Sequence, residues 1–287
     1  MERYIGLKVK YFSEIGPKRK QNQDNFYVQG RANWSSAKFI SGKLTVHLEY
    51  PQIVSLFDGM GGEAEGKTAS LLAASCMEIL AHSLSESVTE KEVNHILDEY
   101  YENFMDRLDE TMDDEYAVCG TTCVGAVFQR QQLIPFWMGD SRGYILRDGE
   151  LIRLTKDHSL AQIEIDNGRM TEDEARQSSA WHTLTSYMGQ YGEKITVGDM
   201  IKVYPGDRLL FCSDGITDMC SDEEVKRLLQ QHGQKCIDIL CSMAKRESDD
   251  NSTAILLDVE DDTVYVRYKE MKRRVRECLQ YVLKNIK

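Results

Sequence analysis

Carboxylates recur in this chain where hydrophobic, strand-like runs end in tight turns. Neighbouring glycine, serine or asparagine residues let the backbone bend sharply there, so each carboxylate can point into a shared cleft. Oxygen ligands suit hard cations such as Mg²⁺ and Mn²⁺, and the sequence shows no competing histidine or cysteine cluster. We therefore expect one oxygen-rich metal site. Its candidate ligands are Asp24, Asp58, Asp140, Asp214 and the Asp249-Asp250 pair.

Length and composition indicate a soluble globular protein. The 287 residues are 41% apolar and 29% charged, enough for one domain with a substantial core. The net charge of -12 argues against a general nucleic-acid binder. Eight cysteines without a C-x-x-C pair indicate free thiols in a reducing compartment. With no run of signal-peptide or transmembrane length, we expect a cytoplasmic monomer without membrane contact.

The spacing of strand and turn signals predicts antiparallel sheets. Runs rich in Val, Ile, Thr and Tyr are joined by short turns, most clearly at 130–132 and at Arg147-Asp148-Gly149-Glu150. Such hairpins exclude an array of parallel crossover units. Helices are predicted from near Gly66, after Thr89 and after Ser221, the last with a capping-box pattern.

Two familiar patterns compete with the metal-site interpretation. Gly61 to Thr68 fits the phosphate-loop pattern G-x-x-x-x-G-K-[ST], which would make the chain a nucleoside triphosphatase. Glu63 and Glu65 would place negative charge in that phosphate cradle, and the hairpins contradict the parallel sheet that it needs. Gly139 to Gly143 fits the serine-hydrolase elbow G-x-S-x-G, but a hairpin rather than a helix follows Ser141.

Taken in order, the motifs resemble those of the PPM-type (type 2C) metal-dependent Ser/Thr protein phosphatases. The Asp-Gly-Met-Gly-Gly form is similar to their bacterial branch, and the resemblance runs from about Tyr4 to Val259. Each motif is weak alone, whereas seven in the right order are strong. The matching stretches are 16–24, 58–62, 120–122, 139–142, 154–159, 213–218 and 250–253.

The resemblance implies a fold, an activity and partners. The fold is α+β, a four-layer α-β-β-α sandwich of two stacked antiparallel β-sheets flanked by helices, occupying residues 1–260. The activity is hydrolysis of phosphoserine and phosphothreonine in proteins, substrates of a Ser/Thr kinase, by direct attack of a water that bridges two Mg²⁺ or Mn²⁺ ions. The competing hypothesis is a non-catalytic phosphoprotein-binding scaffold on the same fold.

The resemblance also assigns roles to individual metal ligands. Asp58 is expected to bridge two cations, with the Gly59 carbonyl on one of them and Asp214 and Asp250 on the other. Asp24 is expected to hold metal-bound water at the edge of the site.

Further roles concern a third cation, the substrate and proton transfer. Asp140, together with Asp214, resembles the ligands of a weaker third metal ion in bacterial members, and Arg19 resembles the guanidinium that clamps the substrate phosphate. Where relatives often carry a histidine proton donor, this chain has Met60 and Glu63. His158 is expected to make a structural hydrogen bond instead.

Two further segments lie outside these motifs. Met170 to Gly192 is expected to form a variable flap beside the cleft. Arg267 to Lys287 carries eight Lys/Arg against two Glu, a net charge of +6 that leaves -18 on the rest of the chain. We expect residues 261–287 to form a basic amphipathic helix that docks on the acidic body, a partner or an anionic membrane being the alternative. Its apolar residues are Met271, Val275, Leu279, Val282 and Ile286.

Overall fold

Two antiparallel sheets form the centre of the computed structural model, which describes residues 4–84, 87–112 and 119–285. The first sheet has the order β3-β1-β13-β12-β8-β9, and the second has the order β10-β7-β6-β4-β2 with β11 on β7 and β5 on β4. The strands are β1 Ile5–Glu14, β2 Asp24–Val28, β3 Phe39–His47, β4 Gln52–Gly61, β5 Cys119–Thr121, β6 Cys123–Gln129, β7 Gln132–Met138, β8 Arg142–Arg147, β9 Glu150–Arg153, β10 Thr196–Val197, β11 Ile201–Lys202, β12 Arg208–Cys212 and β13 Ser252–Asp261.

Helices cover the outer faces of both sheets. The helices α1 and α2 lie against the second sheet, and α6 and α7 lie against the first. The helices are α1 Glu63–Ser83, α2 Glu90–Thr111, α3 Leu160–Asp166, α4 Glu172–Arg176, α5 Asp214–Thr217, α6 Asp222–Leu229, α7 Gly233–Glu247 and α8 Thr263–Asn285.

Alternation along the strands builds three apolar layers. In β12, Leu209 and Phe211 enter the core between the sheets, whereas Leu210 and Cys212 face the helices. In β4, Leu56 faces the same inter-sheet core. Because these strands are buried on both faces, they read in the sequence as continuous apolar runs. The predicted four-layer α-β-β-α sandwich is confirmed.

The predicted turns and helix starts are present. Arg147 pairs with Glu150 across a two-residue turn, in which Asp148 and Gly149 have φ of 50° and 82°. Both central residues with positive φ are typical of the type I′ hairpin turn. Ser221 forms the predicted capping box with N3 of α6.

Other expectations need correction. The helix α1 begins at Glu63 rather than near Gly66, so the phosphate-loop pattern spans a strand end and a helix start. All described strand pairs are antiparallel, and the Thr68 hydroxyl donates to the Ala64 carbonyl within α1. The nucleoside triphosphatase interpretation is therefore wrong. The short helices α3 and α4 were not predicted.

The C-terminal helix α8 contacts the body through its first two turns. Val266 is buried, Tyr265 stacks on His47 and Lys269 pairs with Glu49. Of the apolar face that was expected to dock, Met271 and Val275 are exposed, so the prediction is wrong for these two residues; the side chains of Leu279, Val282 and Ile286 lie outside what the structure describes. Among the described helices, none combines the length and apolar character needed to cross a membrane.

The inter-sheet core predicts a specific loss of stability. Replacing Ile255, fully buried in β13, by alanine should lower the free energy of unfolding by about 2–5 kcal/mol because it leaves a cavity. Urea denaturation measures this change. The matched control is Ile79→Ala on α1, where the side chain is half exposed, and a loss there as large as that for Ile255→Ala would contradict the assigned core.

Candidate metal centre

Two strand ends place like charges directly opposite each other. Asp24 opens β2 and lies across from Asp58 on β4 in the antiparallel register. Opposed like charges destabilise a strand pair, so this arrangement needs compensation. Asp24 is buried, and its Oδ2 accepts a 2.8 Å hydrogen bond from the Ser213 hydroxyl, while its Oδ1 reaches no partner among the described residues.

The first sheet contributes the other side of the site, through the turns after β12 and before β13. Asp214 follows β12 as the first residue of α5, and Asp250 lies two residues before β13. Burial raises the pKa of Asp24 to about 7, and the charges of Asp250 and Asp214 add to this effect. Burial likewise raises the pKa of Asp214 to about 6, helped by Asp218 and Asp250. The carboxylates therefore share one environment.

The backbone of β4 is fixed where it enters the site. The Asp58 carbonyl accepts from the Thr122 amide at 2.8 Å and from the Thr121 hydroxyl at 2.9 Å. Gly59 is buried, and a Cβ there would lie 2.1 Å from the Gly66 carbonyl of α1. Only glycine allows this approach of helix and strand. Burial, and then the charge of Asp24, raises the pKa of Asp58 well above its usual range.

The loop that carries Arg19 is tied to the Asp250 turn. The Asn251 side chain donates to the Ile15 carbonyl at 2.8 Å and to the Gln21 carbonyl at 3.0 Å. The Arg19 guanidinium, exposed at the cleft, donates to the Asp250 carboxylate. Arg19 is thus within reach of the centre and already paired with one of its carboxylates.

Asp140 joins the site from the turn after β7. Gly139, with φ of 103°, makes this turn, and its amide donates to His158 Nδ1 at 3.2 Å. Burial and then the charge of Asp214 raise the pKa of Asp140 well above its usual range. His158 Nε2 lies 3.3 Å from the Thr196 hydroxyl, so both ring nitrogens of His158 have partners. Its expected structural role is supported, and burial lowers its pKa.

Ser141 is not placed as a nucleophile. Its side chain is buried, and its hydroxyl lies 2.7 Å from the Thr122 hydroxyl. The strand β8, not a helix, follows it. The serine-hydrolase interpretation is therefore wrong.

The predicted flap segment borders a cleft of about 850 Å³ above the carboxylates. Trp181 contacts two guanidinium groups, with Arg142 at 5.1 Å and Arg176 at 4.6 Å from its ring centroid. Its indole N–H donates to Asp218 at 2.8 Å. These cation–π contacts and the hydrogen bond hold the ring beside the cleft, and His182, the next residue, lines the cleft.

Sequence reasoning missed two residues at this site. His182 and Asp218 bring ligand atoms within 4.8 Å of one another and of Asp214, a grouping that could hold a metal ion. Little in the sequence marked these two residues as ligands, because His182 lies in the expected flap and Asp218 lies four residues after Asp214. The contact between the flap and α5 forms only in the tertiary structure, so local sequence patterns do not reveal it.

The residues present fit divalent cations. Within the described part of the chain, Asp24 Oδ1 and Asp214 Oδ1 are buried and lack hydrogen-bond partners. Unpaired buried carboxylates are costly, and a bound cation would compensate them. The predicted ligands are oxygen donors throughout, which favours Mg²⁺ or Mn²⁺ over softer metals. Asp24, Asp58, Asp140, Asp214 and Asp250 thus converge as the sequence predicted, and Gly59 lines the same cleft.

Comparison with known proteins agrees with the fold and the site. The sequence profile described as Protein phosphatase 2C matches residues 43–258. The serine/threonine protein phosphatase PstP of Mycobacterium tuberculosis is 32% identical over 253 residues, 87% of this chain and 44% of PstP. The chain thus spans less than half the length of PstP. The serine/threonine phosphatase stp of Listeria monocytogenes is 29% identical over 220 residues, 72% of this chain and 84% of stp.

Solved structures show the same similarity. The catalytic domain of PstP in complex with two manganese ions superposes with a TM-score of 0.73 at 28% identity, covering 90% of this chain and all of that domain. Stp1 of Staphylococcus aureus superposes with a TM-score of 0.72 at 27% identity, covering 91% of this chain and 98% of the Stp1 chain. Fold and site define an α-β-β-α sandwich with a carboxylate centre at one end of its sheets. The chain belongs to the protein phosphatase 2C family.

Asp58 and Ser141 allow a direct comparison of roles. Asp58→Asn should lower phosphate release by ~100-fold or more, since it removes charge from the centre. Ser141→Ala should retain most activity because its hydroxyl contacts only Thr122 within the described structure. Steady-state assays of both variants check this, and equal inactivation would reopen the serine-nucleophile mechanism.

Repulsion among the carboxylates predicts opposite effects of one substitution on stability. At pH 8 with chelator, Asp58→Asn should stabilise the protein by on the order of 1 kcal/mol, because it removes a repelled carboxylate. With saturating Mn²⁺ the order should reverse, since binding at 100 times Kd stabilises the wild type by about 2.7 kcal/mol. Thermal unfolding with and without Mn²⁺ measures both effects, and a variant less stable in chelator would contradict the repulsion.

Proposed function

We propose that this protein is a Mg²⁺- or Mn²⁺-dependent serine/threonine protein phosphatase. The observation that carries the proposal is the convergence of these five buried or half-buried aspartates, with Arg19 beside them, at one open cleft. The phosphatase names of the relatives and the two manganese ions in the PstP structure support it. Its substrates would be phosphoproteins produced by a Ser/Thr kinase.

The aspartates divide between the cations. Asp58 would lie between two ions, with Gly59 contributing its carbonyl to one and Asp214 and Asp250 binding the other. Asp24, held by Ser213, would orient water at the edge of the centre. The bound cations would supply an activated water as nucleophile and neutralise charge on the phosphate. Asp140 would bind a weaker third ion with Asp214.

Arg19 would bind the substrate phosphate. Its guanidinium offers a planar pair of N–H donors, which match two phosphate oxygens. In the structure the guanidinium donates to the Asp250 carboxylate at the cleft. The exposure of the side chain allows it to reorient toward a bound phosphate. Arg19 would then hold the phosphoryl group in line with the nucleophile and offset its developing charge.

The contacts of His158 disfavour it as the donor of a proton to the leaving alkoxide. Its ring nitrogens are engaged by the Gly139 amide and the Thr196 hydroxyl, and burial lowers its pKa. Met60 lines the cleft without a titratable group, and the side chain of Glu63 lies outside what the structure describes.

The proposal is tested by phosphate release from a phosphothreonine peptide. We expect turnover with Mn²⁺, none in chelator, and recovery when Mn²⁺ is restored. A phosphotyrosine peptide of the same sequence serves as the substrate control. Turnover that persists in chelator would overturn the metal mechanism. Absence of turnover with Mn²⁺, combined with retained binding of the phosphopeptide, would favour the non-catalytic scaffold.

Arg19→Ala separates phosphate binding from metal binding. We expect a higher KM and a loss of about 2–3 kcal/mol in the free energy that kcat/KM reports, because a bidentate charged contact is removed. The Mn²⁺ affinity should stay within a few-fold of the wild type. Lys18→Ala, in the exposed neighbouring ion pair with Asp249, is the matched control and should change neither quantity. Calorimetric Mn²⁺ titration decides, since a large loss of affinity in Arg19→Ala would mean that Arg19 organises the metal site.

A further inference from the structure

The helix α8 carries an exposed apolar stripe. Val264, Tyr268, Met271 and Val275 recur at spacings of four, three and four residues, which places them on one side of the helix. Their exposed fractions are 84%, 49%, 56% and 54%. We call these four residues the α8 stripe. The sequence continues the spacing with Leu279 and Val282.

The body of the protein contacts the opposite side of α8. Val266 is buried, Tyr265 stacks on His47 with 3.7 Å between ring centroids, and Lys269 Nζ lies 3.0 Å from Glu49. Helical periodicity places Val266 and Lys269 away from the α8 stripe and Tyr265 at its flank. These contacts therefore fix the first turns of α8 with the α8 stripe facing outward. In this orientation the stripe does not pack on the acidic surface of the protein itself.

Cations border the α8 stripe on both sides. Helical periodicity places Arg267 and Arg274 along one border and Lys272 and Arg276 along the other, and all four residues are exposed. The Lys272 ammonium lies 4.5 Å from the centroid of the Tyr268 ring, so its stem follows the apolar surface. Long cationic side chains in this position can extend from an apolar surface toward negative charge.

These borders disfavour a second copy of the same helix as the occupant. In a paired helix, Arg267, Lys272 and Arg274 would lie beside their counterparts and repel them. An apolar stripe between two rows of cations instead matches a layer that is apolar inside and anionic at its surface. The charge of +6 on Arg267 to Lys287, against -18 elsewhere, concentrates this attraction in α8.

We propose that α8 binds an anionic lipid surface, lying in its plane with the α8 stripe among the acyl chains. The position of α8 suits this role. It follows the end of β13 opposite to Asp250, and ten strand residues separate them by about 30 Å. The cleft therefore stays accessible to phosphoproteins while α8 is bound. This surface is independent of the proposed catalytic function.

Vesicle sedimentation with the full chain tests the proposal. We expect binding to vesicles of phosphatidylcholine and phosphatidylglycerol at about 70:30, little binding to phosphatidylcholine alone, and loss of binding in high salt. Met271→Gln combined with Val275→Gln should weaken binding by roughly tenfold or more. Lys272→Gln combined with Arg274→Gln should weaken it by about fivefold for each charge removed.

A matched pair of substitutions controls for the change in chemistry. Ile79→Gln with Ile163→Gln replaces two exposed apolar residues on α1 and α3 and should leave vesicle binding unchanged. Circular dichroism checks that each variant is folded. Because the altered α8 residues are exposed, all variants should keep the wild-type thermal midpoint within a few degrees.

Four results would overturn the proposal. The first is no sedimentation with the anionic vesicles. The second is equal loss of binding in the Ile79/Ile163 control and in the Met271/Val275 variant. The third is retention on immobilised polyglutamate without vesicle binding, which would assign α8 to an acidic protein. A dimer that dissociates on Met271→Gln with Val275→Gln, without vesicle binding, would assign the α8 stripe to a second copy.

Discussion

Repulsion between buried carboxylates is the constraint that the rest of this structure must satisfy. Asp24 and Asp58 oppose each other across a strand pair, and Asp214 and Asp250 approach from the other sheet. The Ser213 hydroxyl on Asp24 and the Arg19 guanidinium on Asp250 offset only part of this repulsion in an empty centre. The surrounding sandwich must therefore hold these groups together until cations neutralise them, and the stability for this comes from the packed layers around the centre.

The backbone near the centre is correspondingly well fixed. Thr121 and Thr122 hold the Asp58 peptide, Asn251 ties the loop before β2 to the turn before β13, and Gly59 allows α1 to approach β4. The threonine and asparagine contacts join segments that are far apart in the sequence, whereas the Gly59 contact joins the consecutive elements β4 and α1. Rigid backbone positions allow carboxylates from four segments to be placed precisely, as a multi-ligand metal site requires.

Much of this architecture could be predicted from the sequence because the relevant signals are local. Turn residues such as Asp148 and Gly149, and the cap at Ser221, specify hairpins and a helix start by their own conformational preferences. The carboxylates were recognisable by their position at strand ends. What remained hidden depends on tertiary contacts: His182 lies near Asp218 in the folded protein, where the neighbouring Trp181 contacts two arginines and Asp218. The exposed side of α8 was also mispredicted, because its periodicity does not reveal which side meets the body.

The ion pair between Arg19 and Asp250 has a consequence for how the centre fills. In the proposed centre, one carboxylate would serve both a guanidinium and a cation, so the two would compete for it. A cation on Asp250 would free Arg19 for phosphate, and phosphate on Arg19 would free Asp250 for the cation. By linkage each ligand then raises the affinity for the other by the same factor. Metal and phosphoprotein would then bind this protein cooperatively.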